Sequence, residues 1–134
     1  MGEKILLEIV TPERKVVSET VDIVVAPGEL GDFGVLPGHI PFLCKLKVGE
    51  LRYRVGAASV HVAIMGGYAE VLNNQVTILA PAAEAAVEID VIRARAARER
   101  AERRIAEVRD KFDFARAQAA LQRAIARLRV SERQ

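Results

Sequence analysis

All nine glycines and all five prolines of this 134-residue chain fall before residue 82, and residues 85–134 contain neither. Glycine and proline are the residues that turn or interrupt regular backbone, so the first part must turn often while the second is free to run as long helices. The glycine-free part also holds thirteen alanines, the best helix former. Charge divides at the same place. Residues 1–84 carry seven Lys/Arg against ten Asp/Glu, and residues 85–134 carry thirteen against eight. The chain therefore reads as two units, 1–84 and 85–134, of α+β class.

In the first unit the runs KILLEIV, VDIVVA, FLCKLKV, LRYRV, SVHVAIM, YAEVL and QVTIL are rich in Val, Ile and Leu, and several alternate apolar with polar residues. That period of two marks half-buried strands. Turn residues separate them: Pro12, Pro27-Gly28, Pro37-Gly38, Gly49, Gly66-Gly67 and Asn73-Asn74. The Asn-Asn pair between YAEVL and QVTIL predicts a two-residue hairpin, because asparagine tolerates the positive φ of a primed turn. Strands this short and this closely spaced suggest a β-sandwich or flattened barrel.

In the second unit Asp90 is placed to cap a helix running to about Arg109, with Val91, Ile92, Ile105 and Val108 as its apolar positions. After RDKFDF, Asp113 can cap a second helix carrying Ala117, Leu121, Ile125 and Leu128 at spacings of three and four. Two such helices joined by a short loop predict an antiparallel hairpin. Large apolar anchors are few, so the hairpin is expected to dock weakly and to be movable.

Several functions are disfavoured. No P-loop, G-x-G-x-x-G, G-x-S-x-G or H-E-x-x-H pattern occurs. His39 and His61 have no metal-ligand spacing around them, and His61 reads as an ordinary strand position. The lone cysteine, Cys44, reads as a small buried hydrophobe and fits a reducing compartment. The N-terminal segment has no signal-peptide pattern, and no run approaches the ~20 apolar residues of a membrane span. An Arg-rich hairpin could bind nucleic acid, but six aromatic residues in all and the acidic first unit weigh against it. No catalytic activity and no required cofactor is expected.

Three blocks, GDFGVLPGHIPFL, GGYAEVLNNQVTILA and DFARAQAALQRAIARLRV, resemble the epsilon subunit of bacterial F-type ATP synthases in order and spacing, over essentially the whole chain. The resemblance implies a flattened sandwich of about ten strands followed by a two-helix C-terminal hairpin. It implies a non-catalytic place in the central rotor stalk, beside the gamma subunit and on the ring of c subunits, at the cytoplasmic face of the bacterial inner membrane. There the sandwich docks on the stalk and couples c-ring rotation, driven by protons or sodium ions, to the alpha/beta catalytic head. The helices act as a regulatory arm that restrains ATP hydrolysis and reaches the head when extended. Glu29 and His39 fall in loops that such a subunit presents to the c-ring.

IDVIRA, Ile89 to Ala94, is similar to the motif with which some bacterial epsilon subunits bind ATP as a regulatory ligand. Helix geometry can be applied to it directly. Arg93 and Arg100, seven apart, share a face of the first helix, and Arg123 and Arg127, four apart, share a face of the second. If the hairpin turns near residues 111–112, Arg100 lies opposite Arg123, with Arg93 near Arg127. Four converging guanidiniums repel one another until an anion sits between them, and polyphosphate suits their bidentate forks. The resemblance implies that Glu84 and Asp90 stand at the base and ribose end, where their carboxylates can accept hydrogen bonds. The candidate site is therefore Glu84, Ile89, Asp90, Arg93, Ala94, Arg100, Arg123 and Arg127, while Arg95, Arg98, Arg103 and Arg104 are expected to form a solvated face.

Overall fold

The computed structural model describes residues 3–133. Eight strands precede two helices: β1 (Ile5–Val10), β2 (Lys15–Val21), β3 (Ile23–Gly28), β4 (Gly31–Val35), β5 (Phe42–Val55), β6 (Ala58–Leu72), β7 (Gln75–Leu79) and β8 (Ala83–Ala85). A single 3-10 turn, Ala86–Glu88, leads into α1 (Val91–Glu107), and α2 (Lys111–Ser131) follows. The strands join in the order β2-β1-β7-β6-β5-β3-β4, with β8 paired to β6. The pairings are antiparallel except for β1 with β7, which are parallel.

Alternation places the core. In β1, Ile5, Leu7 and Ile9 are buried, and the residues between them are half-exposed. Together with Val21, Val24, Leu51, Val62, Ile64, Val76 and Ile78 they form one apolar cluster enclosed by the folded sheet. Cys44 is half-buried against that cluster, and burial pushes its thiol pKa up.

The strand count differs from the expected ten, because four of the runs seen in sequence are two long strands. FLCKLKV and LRYRV join through Gly49 into β5, and SVHVAIM and YAEVL join through Gly66-Gly67 into β6. The two strands pair along their whole length, from Phe42 with Val71 to Val55 with Ala58. β6 changes partner at the glycines. It pairs with β8 up to Ile64 and with β7 from Tyr68. Gly67 has φ +109°, and a Cβ there would lie 2.0 Å from the Leu79 carbonyl oxygen. No other residue allows this approach. The Asn73-Asn74 hairpin has the expected positive φ values, 51° and 57°.

The helices differ from expectation in two respects. Asp90 caps α1 as anticipated, its carboxylate accepting the Arg93 amide at 3.0 Å. The second helix is capped by Asp110, which accepts the Phe112 amide at 2.7 Å, and not by Asp113. Asp113 sits in the first turn, where its charge meets the helix dipole favourably. The buried positions are also not the large apolar ones. Ile92 is 80% exposed, and the buried residues of α1 are Ala94 and Ala101. On α2 Ala117, Ala124, Ala126 and Val130 are buried. The helices therefore meet along a seam of methyl groups, which brings their backbones close while removing little apolar area from water.

The hairpin is fastened to the sandwich mainly through α2, which packs on β5, β6 and the 3-10 turn. Ala126 and Val130 join Ala63, Met65, Ala86 and Ile89 in a second, smaller apolar cluster. Glu50 adds a polar clamp beside it, receiving the Arg133 guanidinium Nε at 3.0 Å and the His61 ring at 3.1 Å.

Two outcomes follow for stability. Gly67→Ala should destabilise the sandwich by about 3 kcal/mol or more, as strain at positive φ adds to a backbone clash. Gly56→Ala, at φ +60° in open space, should cost only about 1 kcal/mol. Urea unfolding curves would separate the two. In native-state hydrogen exchange, α1 amides should exchange well before those of β1, β6 and β7, because α1 buries only alanines.

Candidate functional site: an arginine groove between the two helices

An open groove of ≈ 950 Å³ runs between α1 and α2 and ends at the sandwich. From α1 it is lined by Arg93, Ala97, Arg100, Arg104 and Glu107, whose four-three-four-three spacing keeps them on one side of the helix. Ala94, Ala101 and Arg103 lie beside that row. From α2 come Ala117, Ala120, Arg123, Ala124 and Arg127, and from the sandwich end Glu84 and Glu88. The alanines form the floor and the long side chains the rims.

Of the residues anticipated from sequence, Glu84, Asp90, Arg93, Ala94, Arg100, Arg123 and Arg127 all line this groove. Ile89 does not. It is 7% exposed and packs with Met65, Ala126 and Val130 beneath the hairpin. Its side chain supports the site from below and does not face a ligand.

The helix register differs from the expected one. With Asp110 as the cap, the turn centres near residue 109 and not near 111–112. Antiparallel pairing about that point sets Ala94 level with Ala124 and Ala101 level with Ala117, the buried residues of the seam. Arg123 then stands level with residue 95 and Arg127 with residue 91, so both flank Arg93. Arg100 lies ~10 Å beyond Arg93 toward the hairpin loop, at 1.5 Å of rise per residue. The four arginines share one groove, but as a cluster of three plus one and not as two facing pairs.

Sequence reasoning missed Glu88, Arg103 and Arg104, all of which line the groove. Arg104 was within reach, since it is four residues from Arg100 and so continues the same face. Arg95 and Arg98 do lie outside the groove, and Arg98 pairs with Glu102 at 3.6 Å along the exposed surface.

Charge within the groove is graded. Three of its four carboxylates, Glu84, Glu88 and Asp90, stand at the sandwich end, and each is already engaged. Glu84 receives Arg127 Nε at 2.5 Å in a half-buried pair. Glu88 pairs with Arg14 at 2.8 Å and accepts the Ala85 amide at 3.0 Å. One oxygen of Asp90 caps α1. Among the described residues Arg93, Arg100, Arg103, Arg104 and Arg123 make no side-chain ion pair. The groove is an anion site with spare hydrogen-bond acceptors at its sandwich end. It offers no group of His, Cys, Asp or Glu that could hold a metal ion, among the described residues.

Glu29 and His39 lie elsewhere, in the loops flanking β4. Glu29 is exposed beside the fully exposed Leu30, and its amide donates to the Lys45 carbonyl at 2.9 Å. His39 is half-buried, its ring on the Ile40 carbonyl at 2.7 Å and edge-on to Phe42. The Asn74 side chain ties this loop to the β6–β7 hairpin by accepting the Gly38 amide at 2.7 Å. Leu36, Ile40 and Leu43 are exposed around it. The loop thus presents apolar side chains on a braced backbone.

No helix among the described residues is long and apolar enough to cross a membrane. Comparison with known proteins gives a consistent picture. Residues 4–86 match the beta-sandwich domain of the ATP synthase delta/epsilon chain, and residues 88–132 match its long alpha-helix domain. The ATP synthase epsilon chain of Syntrophobacter fumaroxidans is 76% identical over 133 residues, covering 99% of both chains. That of Nitratidesulfovibrio vulgaris is 56% identical over 130 residues, covering 97% of both. In structure, the chain resembles one from the Euglena gracilis mitochondrial ATP synthase OSCP/F1/c-ring assembly, with TM-score 0.79 and 25% identity over 91% of this chain and 78% of that one. A chain of the Tetrahymena thermophila mitochondrial ATP synthase central stalk and c-ring shares the fold at TM-score 0.59 and 16% identity, over 98% and 96%. From its sandwich through its helical hairpin, this chain belongs to the ATP synthase delta/epsilon chain family.

Proposed function

We propose that the chain is the non-catalytic epsilon subunit of a bacterial F-type ATP synthase, with a helical arm that senses ATP. In this reading the sandwich sits in the central stalk against the gamma subunit and the c-ring, at the cytoplasmic face of the inner membrane. It passes rotation driven by protons or sodium ions to the alpha/beta catalytic head. End-to-end similarity to epsilon chains supports the stalk assignment. The braced loop with exposed Leu36 and Ile40, and the neighbouring turn at Glu29, are the surfaces that would meet the c-ring.

The observation that carries the sensing role is the groove itself, where two helices contribute arginines to one space. Arg93, Arg123 and Arg127 would grip the phosphates nearest the sandwich, and Arg100 the terminal one. Asp90 keeps one carboxylate oxygen beyond its capping bond, and Glu84 stands beside it to receive an adenine amino group or ribose hydroxyl. Glu84 holds Arg127, so nucleotide must take over that guanidinium, which sets a threshold on affinity. A ligand that bridges both helices binds only the folded hairpin and stabilises it by mass action. When ATP is scarce, the arm is free to leave the sandwich and extend toward the head.

Nothing favours the alternative of nucleic-acid binding. Five arginines without carboxylate partners line a cleft between helices, whereas Arg98, on the outer surface, is paired with Glu102.

Calorimetric titration in magnesium-free buffer with ATP, GTP and AMP tests the sensing role. ATP should bind saturably and in preference to the other two, and Arg123→Ala should weaken it by about tenfold or more, as expected for the loss of a charge-assisted hydrogen bond. Equal weak responses to all three nucleotides, or no loss in the variant, would remove ATP sensing from the proposal and leave the stalk assignment standing.

A further inference from the structure

The groove continues beyond the four arginines that the ATP reading uses. Arg103 and Arg104 line it on the loop side of Arg100, and Arg104 lies ~6 Å further along α1 at the rise of an α-helix. The cluster at Arg93, Arg123 and Arg127, then Arg100, then Arg103 and Arg104 form a graded row directed away from the carboxylates at the sandwich end.

Both outermost arginines are exposed, as expected from sequence, yet neither closes an ion pair along the helix. Glu99 and Glu107 stand four residues to either side of Arg103, the spacing at which a helix closes ion pairs. Among the described residues, however, the one ion pair along α1 is Arg98 with Glu102, on the exposed face. Arg103 and Arg104 instead line the groove at its loop end, level with residues 115 and 114 of α2 and beyond Ala117 and Ala120. Nothing on that stretch of the groove wall supplies an anion. Glu107 closes the far end with a negative charge, which limits how long a chain of phosphates the row accepts.

The geometry points to a distal anion subsite, formed by Arg103 and Arg104, for a phosphate beyond the third. The ligand class it fits is a nucleoside carrying four linked phosphates, with its base at Glu84 and Asp90 and its terminal phosphate at Arg104. This rests on reading the groove as a nucleotide site. It adds that ATP leaves part of the groove's positive charge unused and that a longer phosphate chain uses it.

The test is calorimetry on the full chain in magnesium-free buffer, with ATP and with adenosine 5′-tetraphosphate. The tetraphosphate should bind about tenfold tighter, the increment for one further charge-assisted contact. The double variant Arg103→Ala with Arg104→Ala should erase that preference, so that both ligands bind alike. Alanine favours helix, and circular dichroism would verify that the hairpin persists. The double variant Arg95→Ala with Arg98→Ala removes the same charge from outside the groove and should keep the preference, which separates a subsite from general electrostatic attraction. Equal affinity of the wild-type chain for both ligands overturns the subsite while leaving the ATP site in place. A preference that survives loss of Arg103 and Arg104, or falls equally in both double variants, also overturns it. Failure of either ligand to bind overturns the subsite and the ATP reading together.

Discussion

The helical arm depends on how closely two helices can approach. Where α1 meets α2 the buried side chains are Ala94, Ala101, Ala117 and Ala124. Larger residues there would push the helices apart and widen the space into which the arginines project. Alanine instead makes a narrow floor, and guanidiniums on long flexible stems can reach a common ligand from both rims. The same choice weakens the arm, since a methyl seam buries little area per residue. Close approach and weak association have one cause.

The electrostatic arrangement complements this seam. Carboxylates are concentrated where the groove meets the sandwich, and each is held by a backbone amide, an arginine or both. Most of the guanidiniums further out have no partner. Like charges on α1 and α2 therefore repel one another across the groove, moderated by water and salt. An anion relieves that repulsion and crosslinks the helices at once. Large apolar contacts would have fixed the hairpin shut regardless of ligand.

Much of this was legible in the sequence. The switch from strands to helices, the Asn73-Asn74 turn, the Asp90 cap and the gathering of Arg93, Arg100, Arg123 and Arg127 in one groove follow from spacing and backbone preference. What was missed shares a physical reason. β2 and β4 lie at the two ends of the strand order, where pairing on one side defines a strand without burying it, so KVVSETV and GDFGV carry no clean alternation. β8 is three residues long. Asp110 and Asp113 are chemically equal candidates for one cap, and only the packed hairpin chooses between them. That choice moved the register and, with it, the neighbours of Arg123. Burial was misjudged on α1 because Ile92 outranks alanine in hydrophobicity but faces away from the seam.

The two helices are not equivalent in how they are held. α2 carries the contacts to the sandwich, through Ala126, Val130 and the Glu50 clamp on Arg133, whereas α1 packs chiefly on α2. Disassembly is therefore ordered. Peeling α1 away would sacrifice the alanine seam and part the two rims of the groove while the foot of α2 stays planted. Lifting α2 must also strip the patch at Met65 and Ile89. The arm therefore has a weaker joint at the alanine seam and a firmer one at the foot of α2.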